Sequence, residues 1–130
     1  MNFIIGENIF DNLLNEAASN ARLRTNLDLR NSESDTSQRM LNALMPGTSV
    51  PVHRHLKTSE TVVLLKGRLA EVYFDDNGNE TERIELDANG ANRGVQIEAG
   101  RWHTIDVHEP SVIIEVKDGA YVPLSDDEIL

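Results

Sequence analysis

The chain has 130 residues, 39% hydrophobic and 26% charged, which is typical of one soluble globular domain. It contains no cysteine, which excludes a disulfide framework and a thiolate metal site and leaves His, Asp and Glu as metal ligands. A net charge of −10 argues against nucleic acid and anionic membrane surfaces as partners. No apolar run approaches the roughly 18 residues of a membrane span, and the first residues do not resemble a signal peptide, so we expect a cytoplasmic protein.

The first part of the chain predicts a helix followed by a mainly polar arm. Apolar residues at positions 9, 10, 13, 14 and 17 have helical spacing over residues 7–17. Residues 18–38 are mostly polar, but apolar and polar side chains alternate over 25–29, which indicates a short strand. Residues 31–36 are predicted to form a loop.

From residue 39 the pattern is that of short strands separated by turns. We predict strands over 40–45, 50–55, 61–65, 68–74, 81–86, 95–97, 104–107 and 111–116, with an Asn-Gly hairpin turn at 77–78. About eight short strands at this spacing predict an all-β sandwich or barrel. We expect a single domain over 1–130, with an N-terminal helix and arm (1–38), a barrel (39–117) and a C-terminal tail (118–130).

Several predicted strands are apolar on both faces. Val62 and Leu64 lie on one side of the third strand, and Val63 and Leu65 lie on the other. One face lines the interior, so the other also needs cover. We expect the N-terminal helix to cover one sheet and a homodimer partner to cover the rest.

The most informative feature is the spacing Gly47-x5-His53-x-His55-x4-Glu60-x6-Gly67, followed by Gly100-x2-His103. Two histidines two residues apart on a strand face the same way. Glu60 shares the parity of Val62 and Leu64 and is expected to face inward, as is His103 on a later strand. The four side chains predict a site for one divalent ion, Mn, Fe, Co, Ni or Zn. The alternative is a hydrogen-bonded polar cluster without metal, which is disfavoured because burying so many ionisable groups is costly.

These motifs resemble those of a known superfamily. Residues 47–67 match the first motif of the cupins, and Gly100-Arg101-Trp102-His103 matches the core of the second. The chain also resembles the WbuC family of cupin-fold metalloproteins, through the segments 21–26, 38–41, 45–48, 53–55, 74–78, 100–104 and 115–121. The resemblance implies a double-stranded β-helix, or jelly roll, preceded by the short helix. The WbuC name is associated with bacterial surface-polysaccharide gene clusters, which implies a carbohydrate-related substrate.

Polar residues outside the motifs are candidates for binding a ligand. If 21–29 forms a strand over the barrel mouth, side chains of one parity can present cationic donors to an anionic or sugar-like molecule, because Arg binds carboxylate and phosphate with two parallel hydrogen bonds. The alternative is a charged edge strand that prevents aggregation. The candidates are Arg22, Arg24, Asn26, Gln38 and Arg39.

Besides a scaffold for polysaccharide assembly, two classes of function remain open from the sequence. Three His and one Glu leave two positions open on an octahedral metal, which suits an enzyme acting on a small oxygen-rich molecule such as a sugar derivative. The reaction is then isomerisation or epimerisation by proton transfer, or oxygenation, and the motifs do not identify catalytic residues. The alternative is a non-catalytic module in which the metal holds a carbohydrate or another small molecule.

Overall fold

The computed structural model describes residues 3–130; Met1 and Asn2, with which the predicted arm begins, lie outside the described residues. Within residues 3–130 the chain forms one α-helix, α1 (Glu7–Ser19), eight β-strands and a short 3₁₀ helix, Asp126–Glu128. The strands are β1 (Arg24–Asp28), β2 (Ser37–Leu44), β3 (Glu60–Lys66), β4 (Arg68–Phe74), β5 (Glu80–Asp87), β6 (Gly94–Ile97), β7 (Trp102–Val107) and β8 (Ser111–Asp118).

The strands form two antiparallel sheets that enclose an apolar core. One sheet has the order β1-β2-β8-β3-β6 and the other β5-β4-β7. The core contains inward-facing residues of both sheets, which alternate with outward-facing residues along each strand. Its buried members are Leu44, Val62, Leu64, Leu69, Tyr73, Leu86, Ile97, Val107 and Ile113. The predicted all-β jelly roll with an N-terminal helix is therefore confirmed.

Helix α1 covers the outer face of the larger sheet. Phe10, Leu13 and Ala17 are its buried residues, and they form a second apolar cluster with Leu41 and Ala43 on the outer side of β2. The expectation that the helix covers one sheet is confirmed. No helix among residues 3–130 is long and apolar enough to cross a bilayer.

The predicted strand over 50–55 is wrong. This segment is a loop in which His53 forms two isolated β-bridges, one with Ile129 and one with His103. In the second, the backbone N–H groups of His53 and His103 each donate to the other residue's carbonyl at 3.0 and 2.9 Å. The loop then bonds to other partners: Leu130 N–H donates to Val52 O, and Arg54 N–H donates to Glu128 O. Apolar and polar residues do alternate over 50–55. However, Pro51 has no N–H to donate, and the hydrogen bonds of this segment go to separate parts of the chain, so no continuous β-ladder forms.

The inner face of the barrel changes from apolar to polar along β3 and β7. On β3 the inward residues run from Leu64 through Val62 to Glu60, all three of them buried. On β7 the buried residues Val107 and His103 mark the same change from an apolar to a polar position. The polar ends of the strands meet at one end of the barrel, and the predicted site lies there.

Candidate metal centre

Three histidines converge at the polar end of the barrel. His53 and His55 lie on the loop before β3, and His103 lies on β7 opposite His53. One ring nitrogen from each lies within 4.8 Å of the other two. The ring centroids are 4.4 Å apart for His53 and His103 and 5.2 Å apart for His53 and His55. Three histidines are therefore positioned to bind one metal ion, as the sequence predicted.

Backbone carbonyls orient two of the rings. The Nδ1 atoms of His53 and His103 each lie 2.9 Å from a backbone oxygen, that of Pro51 and that of Arg101. Because a carbonyl only accepts hydrogen bonds, each Nδ1 carries the proton and each Nε2 keeps its lone pair. A second hydrogen bond that fixes the ring in this way is typical of metal-binding histidines.

Glu60 supplies the carboxylate that the motif predicts. It is buried, and its Oε2 lies 3.0 Å from Nε2 of His55. Lys117 Nζ lies 3.4 Å from the same His55 nitrogen and 3.9 Å from the same Glu60 oxygen, so the carboxylate and the imidazole meet at one point. Two atoms bound at right angles to one metal, each about 2.1 Å from it, are about 3 Å apart. The geometry fits a shared ion, and the role of Glu60 as fourth ligand stays a prediction.

The electrostatics keep His53, His103 and Glu60 in the forms that bind metal. Burial, reinforced by the charge of neighbouring His103, lowers the pKa of His53 to about 4. Burial also lowers the pKa of His103. For Glu60, burial raises the pKa, but His55 and Lys117 outweigh it and hold the pKa below its usual value. Neutral imidazoles and an ionised carboxylate are the states that a divalent metal needs, so little binding energy is spent on removing protons.

Two further carboxyl groups, one buried and one half-buried, lie beside the histidines. Glu71, on β4, is 1% exposed, and its Oε2 has no hydrogen-bond partner within residues 3–130. Burial, with the charges of Glu60 and Glu115, raises its pKa well above the usual value. Burial and the charge of Glu60 also raise the pKa of Glu115, on β8, to about 8.

Sequence reasoning missed Glu71 and left the role of Glu115 open. The available signal was a single acidic residue with inward parity in each of two apolar strands, Leu69 to Phe74 and Val112 to Val116.

Two cavities open onto the centre. One, of about 470 Å³, is lined by Arg22, Arg24 and Asn26 together with His53 and His103. The other, of about 550 Å³, is lined by His53, His55, Lys117 and Gln38. Both volumes lie within the range of roughly 300–1,000 Å³ of small-molecule sites.

The structure thus brings four of the five ligand-binding candidates to these cavities. Arg39 lies apart from them, because the alternation along β2 turns it to the face opposite Gln38, where it pairs with Asp35 at 3.2 Å. The role of all five candidates in binding a ligand stays a prediction.

Residues 119–130, which we call the strap, separate the two cavities. Tyr121 and Leu124 line both of them. At one end Gly119 N–H donates to Thr36 O at 2.7 Å, and at the other end Glu128 Oε2 accepts from Leu56 N–H at 3.0 Å. The strap therefore crosses the barrel mouth directly above the histidines.

Comparison with known proteins identifies a family. The sequence model of a domain of unknown function, DUF6016, matches residues 5–86. The chain belongs to the DUF6016 family. No curated protein sequence matches the chain significantly.

Solved structures of similar shape are cupin-fold proteins. The capsular polysaccharide assembling protein CapF from Staphylococcus aureus is 17% identical, with a TM-score of 0.63 over 82% of this chain and 34% of that chain. Oxalate oxidase in complex with the substrate analogue glycolate is 17% identical, with a TM-score of 0.62 over 80% of this chain and 55% of that chain. A cupin-2 domain protein from Shewanella frigidimarina is 20% identical, with a TM-score of 0.53 over 71% of this chain and 79% of that chain.

These likenesses establish the cupin fold of the DUF6016 chain. The chain spans about a third of the length of CapF and about half that of oxalate oxidase. Fold and histidine cluster together support a metal-binding cupin, and the activities named for these neighbours belong to those proteins.

Proposed function

We propose that this protein is a metal-dependent cupin that binds and transforms a small oxygen-rich molecule, a sugar derivative, by isomerisation or epimerisation. The observation that carries the proposal is the convergence of three histidine nitrogens within 4.8 Å at the junction of two cavities. His53, His55, His103 and Glu60 are the proposed ligands. A bound Mn, Fe, Co, Ni or Zn ion with open positions would polarise a carbonyl or hydroxyl oxygen of the substrate.

Glu71 is the side chain best placed to hold and move a proton. It lines the same cavity as His53 and His103, and its Oε2 lacks a hydrogen-bond partner in the described part of the chain. Burial raises its pKa well above the usual value, which favours the protonated form of the carboxyl group. A buried acid of raised pKa facing a ligand cavity suits proton transfer to and from a sugar. This favours isomerisation or epimerisation over oxygenation.

We propose that the protein acts in the cytoplasm, in bacterial surface-polysaccharide metabolism. The sequence segments that resemble the WbuC family support it, and we propose membership of that branch within the cupins. One structural neighbour, CapF, is a capsular polysaccharide assembling protein, which is consistent with this setting.

A homodimer is part of the same proposal. Val63 on β3 and Val116 on β8 are 37% and 43% exposed, and both lie on the outer face of the larger sheet. A second copy packed against this face would remove their side chains from water.

Elemental analysis of the purified protein tests the metal site. Wild type is expected to carry about one equivalent of a divalent metal, and His55→Ala and His103→Ala are expected to lose it while the barrel stays folded. His108→Ala is the matched control, because His108 bonds to Glu85 at 2.8 Å outside the cluster. Full metal content in His55→Ala, or loss in His108→Ala, would contradict the assignment.

Exchange with solvent deuterium separates the enzyme from a binding module. Metal-loaded protein in heavy water is expected to exchange the hydrogen next to the carbonyl of an aldose or ketose, as followed by proton NMR. Glu71→Gln is expected to slow this exchange by about 10²-fold or more and to leave the metal content unchanged. Binding without exchange would instead identify a non-catalytic, metal-dependent carbohydrate-binding module.

A further inference from the structure

Two neighbouring arginines line the 470 Å³ cavity without an acidic partner. Within residues 3–130, neither Arg22 nor Arg24 forms an ion pair, although the sequence has 22 acidic and 12 basic residues. Five other arginines pair with carboxylates: Arg30, Arg39, Arg68, Arg83 and Arg101. Arg24 donates to the carbonyl of Ser49 at 2.5 Å, which leaves the rest of its guanidinium for another acceptor.

The two guanidinium groups are close enough to repel each other. Burial, and next the charge of Arg22, lower the pKa of Arg24 below its usual value. A pair of like charges at a cavity wall is unfavourable until an anion neutralises it.

The backbone between the two arginines adopts a conformation that L-residues rarely take. Leu23 has a φ of 57°, in the left-handed region. Hydrogen bonds hold it there: Leu23 N–H donates to Asn20 O at 2.9 Å, and Met45 N–H donates to Leu23 O at 2.9 Å. Thr48 Oγ1 also donates to the carbonyl of Arg22 at 2.7 Å. These hydrogen bonds offset a backbone strain of about 1–3 kcal/mol and fix the turn that carries both arginines.

The remainder of the cavity wall fixes the direction of a ligand. Asn26 and Asn42 are paired neighbours on β1 and β2 and line the same cavity, where their amides can bind hydroxyl groups. The carboxyl groups of Glu60, Glu71 and Glu115 also line it. An anion is repelled by the ionised Glu60 and attracted by the arginines, so these side chains favour opposite ends of a ligand.

We propose that Arg22 and Arg24 form an anion-binding subsite, and that the ligand is an acidic sugar derivative. Its carboxylate or phosphate group binds the arginines, and its hydroxyl groups reach Asn26, Asn42 and the histidine cluster. This deepens the proposed function by naming the substrate class, and it rests on that function only for the sugar character of the ligand.

Calorimetric titration with three matched probes tests the subsite: glucose, glucuronate and glucose 6-phosphate. Wild type is expected to bind at least one of the two anions about tenfold or more tightly than glucose, because a charged bidentate contact is a strong one. Comparison of glucuronate with glucose 6-phosphate distinguishes a carboxylate from a phosphate. Equal affinity for the three probes, or no binding of either anion, would overturn the proposal.

Arginine variants test where the anion binds. The double variant Arg22→Gln/Arg24→Gln is expected to lose the preference for the anion, while its metal content stays that of wild type. Arg93→Gln removes one positive charge from a side chain outside this cavity, whose Nε donates to Gly90 O at 3.0 Å, and it is expected to keep the preference. A preference that survives in the double variant would place the anion elsewhere and refute the subsite.

Repeating the titrations on chelator-stripped protein separates this inference from the proposed function. One outcome is that the protein holds no metal as purified and takes up none when metal is added. If it still prefers the anion, and the preference depends on the two arginines, the subsite is upheld and the metal site is rejected. A full metal equivalent without that preference would do the reverse.

Discussion

Two halves of the barrel interior, built on the same strands, have opposite characters. Ile113 and Glu115 are both inward residues of β8, about 7 Å apart along the strand. Ile113 is 1% exposed and belongs to the apolar core, whereas Glu115 lies among Glu60, Glu71 and the histidines. Buried carboxyl groups with raised pKa values destabilise a fold. Burial of side chains in the apolar half can offset this destabilisation by the polar half. A site of this kind therefore needs a complete core directly beneath it.

Removing a side chain from the apolar half is expected to have the largest effect. Ile113→Ala leaves a cavity among Leu64, Leu69 and their neighbours and should lower the free energy of unfolding by about 3 kcal/mol. Urea denaturation measures this. Ile4→Ala makes the same deletion at a side chain that is 77% exposed, and it should change the free energy by less than about 0.5 kcal/mol. Similar losses in both variants would contradict the division of the interior.

Replacing an acid in the polar half is expected to act in the opposite direction. Folding raises the pKa of Glu115 from its ordinary 4.5 to about 8, so the folded chain holds a proton that the unfolded chain releases. This group therefore lowers stability as pH rises from 4.5 to 8. His53 acts in reverse, because burial lowers its pKa from 6.5 to about 4 and its contribution is lost as pH falls through that range. The interval from pH 6.5 to 8 isolates the carboxyl groups.

Between pH 6.5 and 8, ionisation of Glu115 should lower the free energy of unfolding of the metal-free wild type by about 1.4 kcal/mol per pH unit, or about 2 kcal/mol in total. Glu115→Gln should remove that share of the slope, as measured by urea denaturation at intervals across the range. Glu16→Gln, at an exposed position on α1, should leave the slope unchanged. Identical slopes for wild type and Glu115→Gln would show that this carboxyl group is not held neutral by the fold.

The same contrast explains what the sequence could and could not predict. Alternation along β3, β4 and β8 follows from elementary strand geometry, and the spacing of His53, His55 and His103 follows from the chemistry of a divalent metal. Glu71 was not predicted as a site residue, because a single acidic residue in an apolar strand departs from the hydrophobic pattern that identifies the strand.

Long-range contacts set another limit on prediction. The role of the loop 50–55 depends on hydrogen bonds to Glu128 and Leu130, more than 70 residues away. The sequence predicts no more than a C-terminal tail over 118–130, and only the folded chain brings residues 119–130 across the barrel mouth as the strap. Periodicity describes a strand by its own residues and carries no information about such partners.

The smallest expected effect concerns the side chain that connects the strap to the metal loop. Arg54 lies between His53 and His55; its guanidinium stacks 4.1 Å from the Trp102 ring centre, and its Nε donates to Asp127 O at 2.9 Å. Arg54→Ala should lower the free energy of unfolding by about 1 kcal/mol.

Hydrogen exchange distinguishes a local role of Arg54 from a general one. In Arg54→Ala the amide of Leu130, which bonds to Val52 O at 3.0 Å, should exchange faster as the strap loosens. Arg101→Ala removes a similar stack, 4.3 Å from the Tyr73 ring centre, together with an ion pair to Glu82, and should leave the Leu130 amide protected. If both variants release the Leu130 amide equally, the strap is held by the barrel as a whole. If only Arg54→Ala speeds the exchange of this amide, Arg54 itself holds the strap at the polar end of the barrel. The access of ligands to the histidines then depends on the contacts of Arg54.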